Sequence, residues 1–224
     1  MKSNTVLVTA AIVLGSLVNA KAETPKTLFE LSGVEKPQLK FDQSVLVIID
    51  AQQEYETGQL PLVGVKEAVA SIRNLLTEAR KKGIPVVHVM HEGSAGGLFD
   101  PNTPAFKSIA GLEPKSKETV ILKHLPDAFA GTTLAKELEK IGKERTLILV
   151  GFMTHMCISS TASAALDLGF QTAVVKDAVA TRDLRGPDGE TVPAQQVNQI
   201  SLAALQDRIS WIVGSTDLLT EHSK

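Results

Sequence analysis

The chain has 224 residues, of which 43% are hydrophobic and 21% are charged. This is the composition of an ordinary globular protein, and the length suffices for one domain with a substantial core. The formal net charge is −2 and the Lys and Arg residues are scattered, so the sequence offers no basic face for a phosphate backbone. Nucleic acid is therefore not expected as a partner.

The first 22 residues have the pattern of a secretory signal peptide. Lys2 precedes an apolar run over residues 6–18, and Ala20-Lys21-Ala22 then forms a cleavage pattern. The run is short for a membrane-spanning helix, which needs about 20 apolar residues. We expect cleavage after Ala22, export to the periplasm or the medium, and no membrane association of the mature protein.

Cleavage would leave 21 basic and 25 acidic residues, a net charge of −4. The mature chain would begin with a polar arm over residues 23–43, and a single domain would follow over residues 44–224. Exported proteins commonly contain disulfides, but the one cysteine, Cys157, cannot form an intramolecular bridge. Cys157 is either a buried small hydrophobic residue or a thiol kept for its reactivity, and composition leaves both open.

The rest of the sequence alternates between strand and helix patterns. Apolar, β-branched runs predict strands covered on both faces at residues 44–49, 85–90, 119–122, 145–150, 172–175 and 210–213. Apolar residues at helical spacing predict helices at residues 65–82, 132–141, 157–168 and 194–205. This alternation predicts a three-layer α/β/α domain with a six-stranded, mostly parallel sheet.

Two features of this arrangement indicate where a ligand binds. In such sheets the ligand lies beyond the carboxyl ends of the strands, where the strand order reverses. The Gly- and Pro-rich stretch over residues 91–116 is too long for a simple connection, and loops of that length usually shape a site. Residues 177–193 are expected to form a further loop.

Three residues at or just beyond strand ends can carry chemistry. Asp50 follows five aliphatic residues, where partial desolvation raises the pKa of a carboxylate and suits it to accept a proton. Lys123 ends the third strand, and Cys157 begins a predicted helix whose dipole favours a thiolate. Each has a plainer interpretation, as a turn-capping Asp, a solvated Lys or a buried thiol. Together, however, the three can converge on one crevice.

Three segments in chain order resemble the motifs of the isochorismatase-like superfamily of cysteine hydrolases, in its nicotinamidase-related branch. The first is VIIDAQQEY at residues 47–55, a strand followed by Asp-x-Gln and an aromatic residue. The second runs from LKH to DAFAGTTL over residues 122–134, and the third from GFMTHMCI to TA over residues 151–162. The resemblance extends over residues 44–213, nearly all of the predicted mature chain.

This resemblance implies the family's fold, its usual homo-oligomeric assembly and an Asp50–Lys123–Cys157 catalytic triad. Asp50 would take the thiol proton, Lys123 would orient and support the pair, and Cys157 would attack the carbonyl carbon of a small amide. Cleavage of the C–N bond would leave a thioester, which water hydrolyses with Asp50 as the base. The expected partner is a small-molecule substrate, and no cofactor is expected.

The resemblance also implies how the negatively charged oxygen of the intermediate is stabilised. The backbone N–H groups of Thr154 and Cys157 are expected to form an oxyanion hole beside a non-proline cis peptide. The expected position of that peptide is Met153–Thr154.

Tyr55, His91 and Phe129 are expected to line the substrate pocket, with core packing as the alternative for the two aromatic residues. Nicotinamidases of the superfamily bind a metal ion through an Asp-x-His motif and a further His. That motif is missing here, because Gln stands two positions after Asp50 and Asn two positions after Asp100. No metal is therefore expected.

Two other functions remain open beside amide hydrolysis. Isochorismatases cleave a vinyl ether on the same scaffold without relying on a cysteine nucleophile, so the presence of Cys157 favours amide chemistry. A binding protein could keep the fold without activity, since a fold does not fix a function. The sequence contains no G-x-S-x-G, G-x-G-x-x-G or P-loop pattern, which argues against serine hydrolases, dinucleotide oxidoreductases and NTPases.

Overall fold

The computed structural model describes residues 24–220, and the predicted signal peptide lies outside them. The described strands are β1 (Ser44–Ile49), β2 (Val86–His91), β3 (Thr119–Lys123), β4 (Thr146–Phe152), β5 (Thr172–Ala180), β6 (Leu184–Arg185), β7 (Thr191–Val192) and β8 (Trp211–Val213). One parallel sheet has the order β3-β2-β1-β4-β5-β8, and β6 and β7 form an antiparallel hairpin. The predicted six-stranded α/β/α fold is confirmed.

The helices of the described chain are α1 (Leu28–Leu31), α2 (Val65–Lys82), α3 (Leu134–Gly142), α4 (Ser159–Asp167), α5 (Ala194–Arg208) and α6 (Ser215–Thr220). The helices α2 and α6 cover one face of the sheet, and α3, α4 and α5 cover the other. In β1, Leu46 and Ile48 face the first core while Val45 and Val47 face the second, as expected of a central strand. Between residues 24 and 220, no helix is both long and apolar enough to cross a bilayer.

The arm before β1 is anchored to the end of the domain. Thr27 and Glu30 form a capping box in which each side chain accepts the other's backbone N–H. Phe29 stacks on Trp211 with ring centroids 4.2 Å apart, and the Arg208 guanidinium lies 5.2 Å from the centre of the Phe29 ring. These contacts fix α1 against α5 and the edge strand β8.

The order of the sheet reverses between β1 and β4, which places a crevice beyond their carboxyl ends. Gly151 allows the two strands to approach closely there. Its φ is 114°, and a Cβ at this position would lie 1.9 Å from the carbonyl oxygen of Ile49. Only glycine fits such a position, so the segments that follow β1 and β4 emerge side by side.

Helix α2 has the predicted bounds and ends at Gly83, which is in the left-handed region at φ 67°. The strands β4 and β5 are longer than predicted. Strand β4 continues to Phe152, and β5 bulges between its pairings with Leu149 and Gly151 and then rejoins β4 as far as Ala180. The short apolar runs marked only the regular part of each strand, because the bulge puts polar residues into the middle of β5.

The region around Cys157 also differs from the predicted helix start. Thr154–Ile158 forms a π-helical turn, and α4 begins only at Ser159. A π turn is common at functional sites, and here it changes the surroundings of the thiol. Residues 177–193, predicted as a loop, contain the end of β5 and the β6–β7 hairpin.

Candidate active site

Three predicted catalytic residues, hereafter the triad, meet beyond the carboxyl ends of β1, β3 and β4. The Nζ atom of Lys123 lies 2.8 Å from Oδ2 of Asp50 and 3.3 Å from Sγ of Cys157. Asp50 and Lys123 are fully buried, and Cys157 is 4% exposed. Because β2 lies between β3 and β1, the long side chain of Lys123 has to extend past the end of β2 to reach Asp50 and Cys157.

The ammonium of Lys123 is held by four neighbours. Besides Asp50 and Cys157, Nζ lies 3.1 Å from the carbonyl oxygen of Leu125 and 3.2 Å from Nδ1 of His91. A buried ammonium is costly unless it is paired and hydrogen-bonded. The Asp50 carboxylate supplies the opposite charge, and the carbonyl oxygen, the imidazole nitrogen and the sulfur lie within hydrogen-bonding distance of the ammonium.

Asp50 is placed by a turn immediately after β1. Its φ is 50°, in the left-handed region that Asp and Asn adopt more readily than other non-glycine residues. Neither carboxylate oxygen accepts a hydrogen bond of good geometry from residues 24–220, although Nζ of Lys123 stands 2.8 Å away. Burial raises the pKa of Asp50, while Lys123 acts in the opposite direction. A buried carboxylate with free acceptor positions is suited to take a proton.

The Cys157 thiol is protonated at neutral pH. Burial and then the negative charge of Asp50 raise the pKa of Cys157 to about 12, and the charge of Lys123 offsets them only in part. This corrects the expectation that a helix start favours the thiolate. The reason is that α4 begins two residues later, at Ser159, and that the thiol is buried in the π turn. A nucleophilic role therefore requires a nearby base.

Two of the three predicted pocket residues lie beside the triad. Tyr55 is buried and packs edge-on against Phe99 and Phe152, at centroid distances of 5.0 and 5.8 Å. Burial and then the charges of Asp50 and Cys157 raise the pKa of Tyr55. The ring of His91 lies 5.0 Å from that of Phe99, so these aromatic rings form one wall next to the triad.

Phe129 packs in a different place. Its ring stacks on Phe170 with centroids 5.8 Å apart, against the core that lies under α3, α4 and α5. The contacts of the described residues thus favour the packing alternative for Phe129.

A separate groove of about 660 Å³ lies beneath the long loop after β2. Its lining includes Gln53, Met90, Phe106, Lys107 and Pro114, and none of the triad. The groove and the triad are therefore different features of the molecule.

Two buried polar residues, to which the sequence analysis assigned no role, tie this loop to the site. The Gln52 side chain accepts the N–H of His91 at 2.8 Å and donates to the carbonyl oxygens of His91 and Phe106, at 2.9 and 2.8 Å. The Glu54 carboxylate accepts the N–H of Phe99 at 3.3 Å. Both residues belong to the first motif, and polar side chains directly after a fully buried strand were the signal that could have revealed them.

The structure corrects the predicted cis peptide by one residue. The cis bond is Phe152–Met153, so the prediction of Met153–Thr154 is wrong. Because β4 continues to Phe152, the cis bond joins the last strand residue to the residue that precedes the π turn. The predicted oxyanion-hole donors, the N–H groups of Thr154 and Cys157, lie in that turn, and their role stays a prediction.

Within residues 24–220, no group of three or more His, Cys, Asp or Glu side chains is arranged to hold a metal ion. Each imidazole near the site has a protein partner: Lys123 for His91, Glu118 for His88, Glu92 for His124 and Thr181 for His155. The expectation that no metal is bound stays a prediction.

Comparisons with known proteins identify the family. A family model for the isochorismatase domain matches residues 44–209. A secreted isochorismatase effector of Verticillium dahliae is 39% identical over 187 residues, covering 83% of this chain and 95% of that protein. A maleamate amidohydrolase of Pseudomonas putida is 32% identical over 154 residues, covering 61% of this chain and 72% of that protein. The crystal structure of an isochorismatase from Pseudomonas putida KT2440 is 44% identical with a TM-score of 0.83, covering 87% of this chain and 100% of that one. This chain therefore belongs to the isochorismatase family.

Proposed function

We propose that this protein hydrolyses the C–N bond of a small amide through a thioester on Cys157. The observation that carries the proposal is the arrangement around one buried ammonium. Lys123 Nζ lies 3.3 Å from the thiol sulfur and 2.8 Å from a carboxylate whose oxygens accept no well-formed hydrogen bond from residues 24–220. A nucleophile and an available base within reach of each other are the basic requirement of covalent catalysis.

The first half of the reaction forms the thioester. The Cys157 sulfur attacks the carbonyl carbon of the amide while Asp50 accepts the thiol proton, which gives a tetrahedral oxyanion. The N–H groups of Thr154 and Cys157 are the proposed donors to that oxyanion. When the intermediate collapses, the C–N bond breaks, and the leaving amine takes the proton from Asp50.

The second half regenerates the enzyme. A water molecule attacks the thioester carbonyl while Asp50 accepts one of its protons. The C–S bond then breaks, the carboxylic acid product leaves, and the proton returns to the Cys157 sulfur. Lys123 stays charged throughout and stabilises whichever of the two partners carries the negative charge.

The resting state suits this sequence of proton transfers. A thiol with a pKa of about 12 is a poor nucleophile until its proton is removed. Burial raises the pKa of Asp50, so that carboxylate is a better proton acceptor than an exposed Asp. Proton transfer is thus coupled to attack on the substrate, and the free enzyme does not expose a reactive thiolate.

Amide substrates are supported by the maleamate amidohydrolase relative, whose name states that chemistry. Export is proposed from the leader-like pattern of residues 1–22 together with the secreted relative. Assembly into a homo-oligomer is proposed from the family resemblance.

A second candidate function is isochorismatase-type cleavage of a vinyl ether. The observation that favours it is the 39% identity to a secreted isochorismatase effector. The name of that relative combines secretion with the isochorismatase family. In this case Asp50 would act as a proton donor or acceptor without covalent participation of Cys157. The two functions therefore differ in their need for the thiol.

The test is hydrolysis of a panel of small primary amides, followed by ammonia release, in the wild type and in Cys157→Ala. We expect turnover to fall by about 10⁴-fold or more, as for other nucleophile deletions. The control Met156→Leu changes the neighbouring sulfur residue, which is exposed, and should keep full activity. Turnover that survives in Cys157→Ala, with isochorismate as an added substrate, would favour the second function. Saturable binding without any turnover in the wild type would favour a binding protein.

A further inference from the structure

The hydrogen-bonding state of His91 follows from its neighbour. Its Nδ1 lies 3.2 Å from Nζ of Lys123, the same ammonium that contacts the Cys157 sulfur. An ammonium can only donate, and an N–H at Nδ1 would point at it, so the contact favours an unprotonated Nδ1. A neutral imidazole that accepts at Nδ1 carries its own proton at Nε2. His91 is therefore the Nε2–H tautomer.

The same surroundings keep this imidazole neutral. A second proton would sit on Nδ1 and point at the ammonium of Lys123. Burial, then the charge of Lys123 and then that of His124 lower the pKa of His91 to about 4. The neutral ring thus has one acceptor, Nδ1, which is occupied by Lys123, and one donor, the N–H at Nε2.

The ring is also held in a fixed position. Gln52 binds both backbone groups of His91, and the Phe99 ring lies 5.0 Å from the imidazole. Phe99 is itself restrained, because its N–H donates to the buried carboxylate of Glu54. A donor held in this way loses little conformational freedom when it binds a ligand.

The Nε2 atom of His91 has no hydrogen-bond partner among residues 24–220, and it is not one of the enclosed polar atoms that lack a partner. It is therefore exposed, on a ring whose other nitrogen contacts the ammonium beside the thiol. We propose that this N–H donates to a second oxygen acceptor of the substrate, a carboxylate or a carbonyl beside the scissile amide, and selects amides that carry one. The inference rests on the proposed function, because it requires a substrate that reacts at Cys157.

The tautomer can be observed without any substrate. Full-length protein labelled with ¹⁵N-histidine gives long-range ¹H–¹⁵N correlations in which the two neutral tautomers and the imidazolium have different patterns. The signals of His91 are assigned by their loss in His91→Gln. At neutral pH we expect a protonated Nε2 and an unprotonated Nδ1. An Nδ1–H pattern, or an imidazolium at neutral pH, would overturn the inference.

Selectivity is tested by alkylation of Cys157 with two small probes, followed by intact mass. Iodoacetate carries a carboxylate and iodoethane carries no oxygen acceptor. Loss of one hydrogen bond to a charged acceptor predicts that His91→Leu slows iodoacetate by about tenfold more than iodoethane. The variant His91→Gln, which keeps a donor, should recover part of the difference, and the control His124→Gln should change neither rate.

Equal slowing of both probes in His91→Leu and in His91→Gln would overturn the inference while leaving the thiol chemistry intact. If neither probe modifies folded wild-type protein at any pH, the proposed function fails, and the inference fails with it. The tautomer measurement separates the two failures, since it reports on His91 alone.

Discussion

Two clusters of charged side chains lie in different parts of the domain, one beyond the carboxyl ends of the strands and one before the start of β3. They differ in how completely their polar groups are hydrogen-bonded. One is the triad. The other, the Glu118 cluster, consists of Glu118, Arg80 and His88 on the α2 side. Glu118 accepts two hydrogen bonds from Arg80 at 2.8 and 2.9 Å, one from the N–H of Lys115 at 2.8 Å, and contacts His88 Nε2 at 2.9 Å. In the triad, by contrast, neither oxygen of Asp50 accepts a hydrogen bond of good geometry from residues 24–220.

The net pKa shifts of the two carboxylates have opposite signs. Burial raises the pKa of Glu118, but Arg80, the N–H of Lys115 and His88 together outweigh it and lower that pKa to about 2. For Asp50 burial is the larger effect, and the pKa is raised. The partners of Glu118 hold it as an anion, whereas the raised pKa of Asp50 suits that carboxyl to the proton transfers of the proposed function. Variants of the two clusters should therefore separate stability from activity.

The largest expected effect is on turnover in Asp50→Asn. An amide at this position cannot accept the thiol proton, so kcat should fall by roughly 10³- to 10⁴-fold. The control is Asp177→Asn, because Asp177 lies within β5 and its carboxylate accepts hydrogen bonds from the N–H and hydroxyl of Ser215. It should lose stability and keep its activity. Similar turnover in the two variants would contradict the role of Asp50 as the base.

The second effect is on stability in Lys123→Met. Removal of the ammonium leaves a fully buried carboxylate unpaired, which costs about 3–5 kcal/mol of unfolding free energy. Urea unfolding measures this loss, and the double variant Asp50→Asn/Lys123→Met should recover most of it. Lys143→Met, which removes a cation 5.4 Å from the Phe170 ring, is the control and should cost less than about 1 kcal/mol. If the double variant is as unstable as Lys123→Met, the ion pair is not the cause.

A smaller loss of stability is expected for Glu118→Gln. The amide cannot pair with Arg80 as an anion, and it leaves part of this hydrogen-bonded cluster unsatisfied, which costs about 1–3 kcal/mol. Turnover should stay within about twofold of the wild type, because Glu118 precedes β3 and Lys123 lies at the opposite end of that strand. A large loss of turnover at unchanged stability would contradict this separation.

The smallest expected effect is on the pH dependence of the stability that Glu118 contributes. The folded-state pKa of Glu118 is about 2 and its ordinary value is 4.5, so the unfolded chain binds its proton first as the pH falls. The stabilisation is therefore complete above about pH 4.5 and is lost between that value and about pH 2. The difference between the urea unfolding midpoints at about pH 6 and at about pH 3 should be smaller in Glu118→Gln than in the wild type. An identical pH dependence in both proteins would contradict the assignment.

Local patterns predicted the fold, and the positions at strand ends together with the family resemblance predicted that Asp50, Lys123 and Cys157 lie close together. Apolar runs marked the buried strands, and α2 has the predicted bounds. Asp50 and Lys123 could be placed because they end such runs. The exact cis peptide could not be fixed, because it depends on β4 continuing to Phe152.

What the sequence could not show are contacts between distant segments. Gln52 and Glu54 hold residues on the loop 39 to 54 positions away, and no local pattern reports such bonds. Phe129 was expected to line the pocket or to pack in the core, and its ring stacks on Phe170, a residue 41 positions away. The thiol was expected to ionise at a helix start, and burial in a π turn makes it a neutral thiol instead.

The central claim, that Asp50 is the base for a neutral thiol, is tested most directly by the pH dependence of Cys157 alkylation. Iodoacetamide labelling is followed by intact mass in the wild type and in Asp50→Asn. With a thiol pKa of about 12, the wild-type rate should keep rising above neutral pH without a plateau. In Asp50→Asn the rise should move to lower pH, because the charge of Lys123 is then unopposed, even though turnover is lost. A wild-type plateau at neutral pH, or an unshifted profile in Asp50→Asn, would contradict the claim.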